Sequence, residues 1–275
     1  VYDVSGAAEL VSDASRRLLE SGKLPRPVIS SACPAVLRLI RVRFPELINK
    51  VLPIIAPVEL AARMAKDEAV RKGYRREEVG CIFITPCPAK VTAMRMPIGS
   101  TKSEIDAAVA VKDVYPLLLS AMKKTSISTP SQSGRIGLGW AESGGEAAGL
   151  ISTDAYLAAD GIENVMRVLE DLEDDKYQNL EFVELDACAA GCVGGVLQVE
   201  HPYIAKAKIK KLRRYMPASL NHLQSTIPAQ LLRDSDLLYF PVTGLGKTRQ
   251  ERIELSADLE VRLKKLTVVY CGSVA

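Results

Sequence analysis

Stretches in which apolar residues recur at helical spacing alternate along this chain with short continuous apolar runs. The first stretch carries Leu10, Val11, Leu18 and Leu19 and runs to Gly22, a residue suited to a helix C-terminal cap. Similar periodicity predicts further helices at 35–40, from Pro57 onwards, from about 112 to 124, after Gly145 and at 162–169. Helices are therefore expected through the first two thirds of the chain.

The short apolar runs predict strands between these helices. They lie at Val1–Val4, Pro27–Ser30, Gly80–Ile84, Ile105–Val111 and Leu180–Leu185. The span 125–139 is rich in Ser, Thr, Gly and Pro and predicts a loop, and we see no internal repeat. Because strands that alternate with helices are typical of layered α/β proteins, we expect an α/β fold with mostly parallel or mixed sheets.

The chain changes character after Met216. The segment Ile227–Leu232 precedes an apolar run at Asp236–Val242 that predicts a strand, and a charged helix is predicted through Glu260–Leu266. We therefore expect residues 1–215 to form one domain of two lobes, and residues 216–275 to form an appendage that completes or follows it.

The composition is that of an ordinary folded protein, with 275 residues, 48% hydrophobic and 25% charged, and a formal net charge of +3. A basic run at 206–214 has no interleaved aromatic residues for base stacking, which argues against a nucleic-acid partner. No apolar stretch approaches the roughly 20 residues that span a bilayer, and no signal peptide precedes the first predicted element. We expect a cytoplasmic protein without a membrane partner.

Four of the six cysteines lie in three separated segments, each at a strand end or a Gly/Pro turn. Cys33 and Cys87 each follow an apolar strand and precede proline, so their thiols should project where ligand sites collect in open α/β sheets. Cys188 and Cys192 are four apart, which places both sulfurs on one face if that segment is helical. Six unevenly spaced cysteines do not suit a secreted disulfide scaffold, and metal binding or buried thiols are favoured.

Four thiolates from three loops suit one iron-sulfur cluster. Glycines at 191, 194 and 195 would allow a bulky inorganic cluster to approach the backbone, whose N–H groups can donate to its sulfurs. A structural zinc also accepts four cysteines, but zinc sites usually use compact Cys-x2-4-Cys pairs, and one close pair is present here. Spacing alone leaves iron-sulfur, zinc and unligated buried cysteines open.

The three cysteine segments resemble, in order, the signature motifs of the H-cluster domain of iron-iron hydrogenases. Those motifs have the general forms Thr-Ser-Cys-Cys-Pro, Met-Pro-Cys-x-x-Lys-x-x-Glu and Glu-x-Met-Ala-Cys-x-x-x-Cys-x-x-Gly-Gly, and residues 30–34, 85–93 and 184–195 match them. The likeness extends from Val1 to about Tyr215. It implies an α/β fold of two lobes of mixed sheets flanked by helices, with the iron-sulfur site in the cleft between them.

The resemblance also implies a ligand set and a reaction. Cys33, Cys87, Cys188 and Cys192 would hold a 4Fe-4S cluster, and Cys192 would also bridge to a two-iron subsite with carbon monoxide, cyanide and dithiolate ligands. Lys90 would donate to a cyanide ligand, which a compact ammonium suits. The implied activity is that of an iron-iron hydrogenase-type oxidoreductase, with dihydrogen and protons as substrates.

Several positions depart from the family pattern. The motif cysteine that passes protons to the subsite is Ala32 here, the closing Glu of the second motif is Ala93, and the methionines lining the subsite are Thr85 and Asp186. Acidic residues expected upstream of the first motif align with Ser12 and Ser15. Positioned proton transfer is commonly worth about 10²- to 10⁴-fold in rate, so we expect slow turnover.

Slow turnover with a hydrogen-binding site resembles the sensory branch of the family, in which fused domains read out hydrogen as a signal. Our candidates for a substitute proton route are Asp186, Glu184 and Glu142. By this resemblance we expect the sequence to begin after a segment that the family domain normally has, and these 275 residues contain no ferredoxin-like Cys-x2-Cys-x2-Cys-x3-Cys motif. A redox partner or fused signalling or ferredoxin-like domains are therefore expected.

Two other functions remain open from the residues. One is a redox-sensing or electron-transfer domain that keeps the 4Fe-4S cluster without the two-iron subsite. The other is a structural interaction domain that retains the fold and binds zinc or no metal.

Overall fold

The computed structural model of the protein describes residues 2–122, 124, 132–150 and 155–240. The α-helices run in the order α1 Val4–Glu20, α2 Pro34–Arg43, α3 Pro57–Arg71, α4 Pro88–Arg95, α5 Val111–Met122, α6 Arg135–Gly139, α7 Gly145–Leu150, α8 Ile162–Glu173 and α9 Pro202–Arg213. The strands are β1 Val28–Ile29, β2 Ile82–Thr85, β3 Ala107–Ala110, β4 Tyr156–Asp160 and β5 Phe182–Asp186. None of the helices in the described part is long and apolar enough to cross a membrane.

The strands form two sheets. The first has the order β1-β5-β4, with Val28 and Tyr156 both opposite Phe182, and the second pairs β2 with β3, with Ile82 opposite Ala107. The α/β fold class is therefore confirmed. All strand pairs in these two sheets are parallel, so of the two arrangements expected from the sequence the parallel one is present.

Proline sets the start of the helices that follow the predicted site segments. It occupies the first turn of α2, α3, α4 and α9, where its missing N–H costs no hydrogen bond and its fixed φ suits the helix. Cys33 and Cys87 are the residues directly before α2 and α4, both with extended backbone. The Cys-Pro pairs thus place each thiol at the junction of a strand end and a helix start.

Strand β5 lies between the two largest core clusters. Phe182 packs in the first cluster with Val11 and Leu60, whereas Val183 and Leu185 pack in the second. Burial on both faces is typical of a strand in a parallel sheet covered by helices. Two residues beyond Met216 also belong to these clusters, Leu231 to the first and Leu237 to the second.

Three predicted elements are wrong. Tyr2–Val4 is not a strand, because the Asp3 side chain accepts a 3.0 Å hydrogen bond from the Ser5 N–H and starts α1. Helix α6 lies inside the span predicted as a loop, where it packs against α1. Residues 236–240 form no strand.

One strand was missed, and part of the prediction lies outside the described residues. The β4 segment Tyr-Leu-Ala-Ala-Asp has no β-branched residue, and its pairing with β5 makes it a strand. The predictions for 241–242 and 260–266 fall on residues that the structure does not describe.

Candidate metal centre

The four predicted cysteines come together at the carboxyl ends of strands from both sheets. Cys33 follows β1, Cys87 follows β2, and Cys188 follows β5. They lie close enough to one another that ionisation of Cys87, Cys33 or Cys192 would raise the pKa of Cys188. The described cysteines are all unpaired and half-buried. One group of thiols is therefore available for a metal group between the two sheets.

The spread of these thiols bears on which metal they suit. Among the residues that the structure describes, no three His, Cys, Asp or Glu side chains stand close enough together to hold a single metal ion. A structural zinc needs four ligands at about 2.0–2.3 Å from one ion. In a 4Fe-4S cluster four thiolates each bind a different iron. Four cysteine thiols therefore match the ligand set of such a cluster.

The segment from Cys188 to Cys192 is a tight loop, so the condition of a helical segment, under which both sulfurs would share one face, is not met. Ala190 and Gly191 have φ values of +68° and +84°, which an α-helix does not allow. A Cβ on Gly191 would lie 2.4 Å from the Ser143 backbone nitrogen, and one on Gly195 would lie 2.4 Å from the Pro86 carbonyl oxygen. The glycines therefore serve close backbone packing, which brings Cys192 beside the Cys87 loop.

Burial makes two of the thiols poor acids. The pKa of Cys33 is raised by burial, although the backbone N–H groups of Ala187 and Val36 donate to its sulfur. Burial and the neighbouring cysteines raise the pKa of Cys188 to about 11. Without metal these thiols hold their protons at neutral pH, so cluster binding has to displace protons.

Lys90 is the cation of the site. Its Nζ donates a 3.2 Å hydrogen bond to Cys192 Sγ from the first turn of α4. Burial alone would lower the pKa of Lys90, but attraction to the sulfurs of Cys192, Cys87 and Cys33 outweighs burial and raises it. The ammonium thus stays charged in a buried position, as a donor to an anionic group needs.

A cavity of about 300 Å³ opens beside Cys192 and Lys90. Ala32, Asp186 and Trp140 also line it. The structure therefore brings the four predicted catalytic positions, Lys90, Cys192, Asp186 and Ala32, onto one cavity. The Ala32 methyl group is the side chain present where the resemblance expects a proton-relaying thiol.

Two further carboxyl groups, those of Glu146 and Glu184, line the same cavity. Glu146 accepts a 2.5 Å hydrogen bond from the Ser30 hydroxyl, and Glu184 accepts from the backbone N–H groups of Gly144 and Ala147 at 2.9 and 2.8 Å. Sequence reasoning named Glu184 and missed Glu146. The available signal was an acid among the small residues of Gly145-Glu146-Ala147-Ala148-Gly149.

These carboxyl groups are weak acids in the fold. Burial and the charge of Asp186 raise the pKa of Glu184 to about 8, and burial with the charge of Glu184 raises the pKa of Glu146 well above its usual value. Burial raises the pKa of Asp186 to about 6, with Lys90 acting in the opposite direction. Each of these shifts is caused mainly by loss of water.

The third candidate carboxylate, Glu142, does not line the cavity. It is buried, one of its oxygens has no hydrogen-bond partner, and the other lies 3.8 Å from the Arg213 guanidinium. Its backbone neighbours Gly191, but its side chain points toward α9. The structure therefore separates Glu142 from Asp186 and Glu184.

The remaining departures have structural roles of their own. The buried Thr85 hydroxyl accepts a 3.1 Å hydrogen bond from the Cys87 N–H and so orients that loop. Ser12 accepts from Trp140 Nε1 at 2.8 Å, and the Ser15 hydroxyl is buried without a partner. Ala93 lines a smaller neighbouring cavity of about 60 Å³. No acid stands at any of these positions.

Comparisons with known proteins found a matching family model and similar solved structures. The family model for the iron only hydrogenase large subunit, C-terminal domain, matches residues 1–151 and 139–196. A structure of an apo FeFe-hydrogenase HydA1 variant from Chlamydomonas reinhardtii is similar at a TM-score of 0.64 and 15% identity, covering 88% of this chain and 85% of that one. A HydA(deltaEFG) structure that reveals stepwise H-cluster assembly is similar at 0.63 and 16%, covering 87% and 84%. At such identities the structural likeness shows the fold alone.

Proposed function

This chain belongs to the iron-only hydrogenase family, as the C-terminal domain of the large subunit, and on that premise we propose that it is a hydrogen-binding, hydrogen-oxidising H-cluster domain of low turnover that acts as a hydrogen sensor. The observation that carries the proposal is the Lys90 to Cys192 contact of 3.2 Å at the edge of a cavity. Through this contact the Cys192 thiol and the Lys90 ammonium lie together beside a cavity of about 300 Å³, which is large enough for a small inorganic subsite.

The residues divide into two sets. Cys33, Cys87, Cys188 and Cys192 would hold a 4Fe-4S cluster, and Cys192 would also hold a two-iron subsite on the cavity side. Lys90 would bind a cyanide ligand of that subsite through its charged Nζ. When bound, the subsite supplies the reversible splitting of dihydrogen into protons and electrons. The protein keeps the site buried and holds the ammonium and thiols in place.

Low turnover follows from Ala32. Its methyl group lines the cavity but cannot accept or donate a proton. Loss of one positioned proton-transfer group costs about 10²- to 10⁴-fold in rate. A slow site that still binds hydrogen suits a sensor, whose signal fused domains or a redox partner would read.

The proposal extends to domain organisation and location. The H-cluster domain would comprise residues 1–215, and residues 216–275 would complete or follow it. Within the described residues, Leu231 and Leu237 pack into the two core clusters of the domain, which favours completion by this part. A cytoplasmic location suits the unpaired cysteines of the described chain, since reducing compartments keep thiols free.

Infrared spectroscopy of maturated protein tests the proposal. We expect carbon monoxide and cyanide stretching bands together with hydrogen-deuterium exchange, and Cys192→Ala should abolish the bands. Cys81→Ala is the matched control, because Cys81 is also a half-buried unpaired cysteine but precedes β2 rather than following it. Maturated wild-type protein without these bands would contradict the assignment of the two-iron subsite.

A 4Fe-4S redox-sensing or electron-transfer domain is the second candidate. It is favoured by the replacement of the subsite-lining methionines by Thr85 and Asp186 and of the motif cysteine by Ala32, while the four cysteines are complete. In that case reconstituted protein shows the visible absorption of an iron-sulfur cluster without the infrared bands. A protein that stays colourless after anaerobic reconstitution would contradict both candidates.

A further inference from the structure

A small inner cavity of about 60 Å³ lies next to the cavity beside Cys192. Ala32 and Lys90 line both of these cavities, and Arg233 lines the inner cavity and also a surface pocket of about 780 Å³. We propose that the inner cavity is a binding site for a small apolar gas, through which dihydrogen passes between the surface pocket and the cavity beside Cys192, and that Arg233 closes its outer end. The inference rests on the proposed function, because it names the route by which the substrate of that site arrives.

The wall of the inner cavity is mostly apolar. Ile54, Ile55 and Ile105 supply large aliphatic side chains to it. Its volume exceeds the roughly 10–15 Å³ that one water-sized molecule needs, and cavities lined by aliphatic side chains stay dry and bind apolar guests such as xenon. A small apolar gas therefore suits this space better than water does.

Two of the polar groups on this wall are bonded elsewhere. The Ser31 hydroxyl donates a 2.9 Å hydrogen bond to the Ile54 carbonyl. Both oxygens of Glu59 are occupied, one by the Ser103 hydroxyl at 2.7 Å and the other by the Glu104 N–H at 2.8 Å. Because a buried water needs two to four polar partners, these bonds disfavour water in the inner cavity.

Arg233 is held at the boundary that the inner cavity shares with the surface pocket. Its backbone N–H donates to the Pro53 carbonyl at 3.1 Å, and its Nη2 donates to the Val51 carbonyl at 3.2 Å. Its stem lies against Gly99, where an added Cβ would come within 2.3 Å of Arg233 Cδ. The side chain therefore fills the space through which a gas molecule would enter from the surface.

The guanidinium of Arg233 is incompletely bonded in this closed position. Its Nη1 is buried and has no hydrogen-bond partner among the described residues, which costs free energy. Asp236 and Glu46 line the surface pocket on the other side. Rotation of the Arg233 side chain into that pocket would exchange an unpaired buried donor for a carboxylate partner, and it would open the outer end of the inner cavity.

A cation at each end restricts what passes. Lys90 lies at the inner end, where attraction to the site sulfurs raises its pKa, and Arg233 lies at the outer end, where burial lowers its pKa to about 10. Both side chains therefore stay charged at neutral pH. Fixed positive charges repel hydronium and other cations but do not hinder a neutral gas. The route thus suits dihydrogen and not protons.

Unloaded protein tests the gas site without any cluster. Methyl NMR under xenon pressure should show shifts of the Ile54 and Ile105 resonances. Ala93→Leu should abolish these shifts, because Ala93 lines the inner cavity but not the cavity beside Cys192. Ala69→Leu is the matched control, since Ala69 is also a half-buried helical alanine but lines neither cavity. Resonances that do not respond to xenon in wild type, or that respond equally in Ala93→Leu, would overturn the gas site.

Maturated protein tests the route and the role of Arg233. The probe is isotopically labelled carbon monoxide, a small gas that binds iron, and the measurement is the rate at which its infrared band appears. We expect binding about tenfold faster in Arg233→Ala and about tenfold slower in Ala93→Leu, as a modest change in barrier height produces. Ala69→Leu should bind at the wild-type rate. Equal rates in wild type and in both cavity variants would refute the route.

The two proposals fail in distinguishable ways. Absent carbon monoxide and cyanide bands in maturated wild type would remove the proposed function, and with it dihydrogen as the gas. The xenon shifts of unloaded protein would still decide whether the gas site exists. If Ala93→Leu fails to fold, Ala93→Val adds less volume at the same wall, and Arg233→Ala tests the outer end without filling the cavity.

Discussion

Replacing Ala32 by cysteine should raise turnover, because it places a proton-transferring thiol on the cavity wall. Ala32 lines the cavity of about 300 Å³ together with Lys90, Glu146 and Cys192, so one added sulfur atom has space and proton-exchanging neighbours. Positioned proton transfer contributes about 10²- to 10⁴-fold, and we expect Ala32→Cys to recover at least about tenfold of it. The rate should not reach the full range, because burial raises the pKa of the new thiol and slows its proton transfer, although the nearby Lys90 ammonium lowers that pKa.

The assay is hydrogen oxidation by maturated protein with an artificial electron acceptor, with rates normalised to the infrared bands of the loaded site. Ala35→Cys is the matched control, because Ala35 is also a half-buried alanine close to Cys33 but does not line the cavity. The control should leave the rate unchanged. An unchanged or lower rate in Ala32→Cys with intact bands would refute the missing relay as the cause of slow turnover.

Three further predictions concern the site and its support. Lys90→Met removes the donor to Cys192 and should shift the cyanide bands while the visible iron-sulfur absorption remains, so unshifted bands would argue against that contact. Gly191→Ala, at φ +84°, should lower both the iron content and the free energy of unfolding, the latter by at least about 1–2 kcal/mol, whereas Gly80→Ala, with open space around its Cβ, should change neither. Burial alone would raise the pKa of Glu9, but hydrogen bonds from Asn221 and from backbone N–H groups outweigh burial and lower the pKa below its ordinary 4.5. Ionised Glu9 therefore stabilises the folded protein above pH 4.5, and this stabilisation is lost as the pH falls through the lowered pKa. Glu9→Gln should therefore show a smaller acid loss of stability than wild type in denaturant unfolding at several pH values, and equal losses would contradict this role.

The sequence was most informative where local chemistry decides local structure. Proline after Cys33 and Cys87 starts a helix in both cases, and the helix from Pro57 begins where it was predicted. The apolar runs before these cysteines are strands β1 and β2. These signals needed no information from distant residues, because a fixed φ and a run of apolar side chains act within a few positions.

The sequence was least informative where contacts with distant segments of the chain determine the local structure. Strand β4 has weak strand propensity and is extended because β5 lies beside it. The Cys188–Cys192 segment has helical spacing, but contacts with the backbone at Ser143 and Pro86 bend it into a loop. In both cases the contact that determines the local structure comes from residues more than 20 positions away in the sequence. The periodicity of a segment does not indicate such contacts.

By itself the sequence determined the thiol inventory of this protein, the strand ends and helix starts that carry it, and the presence of alanine at position 32, where the family motif has cysteine. The tertiary structure alone decided that Lys90 donates to Cys192, and that Glu146 and Glu184 meet on one cavity while Glu142 lies apart. The physical reason is that proton affinity and charge pairing depend on burial and on neighbours. Those are set by how β5 packs on α7 and by where α4 places Lys90, not by the residues adjacent in the chain.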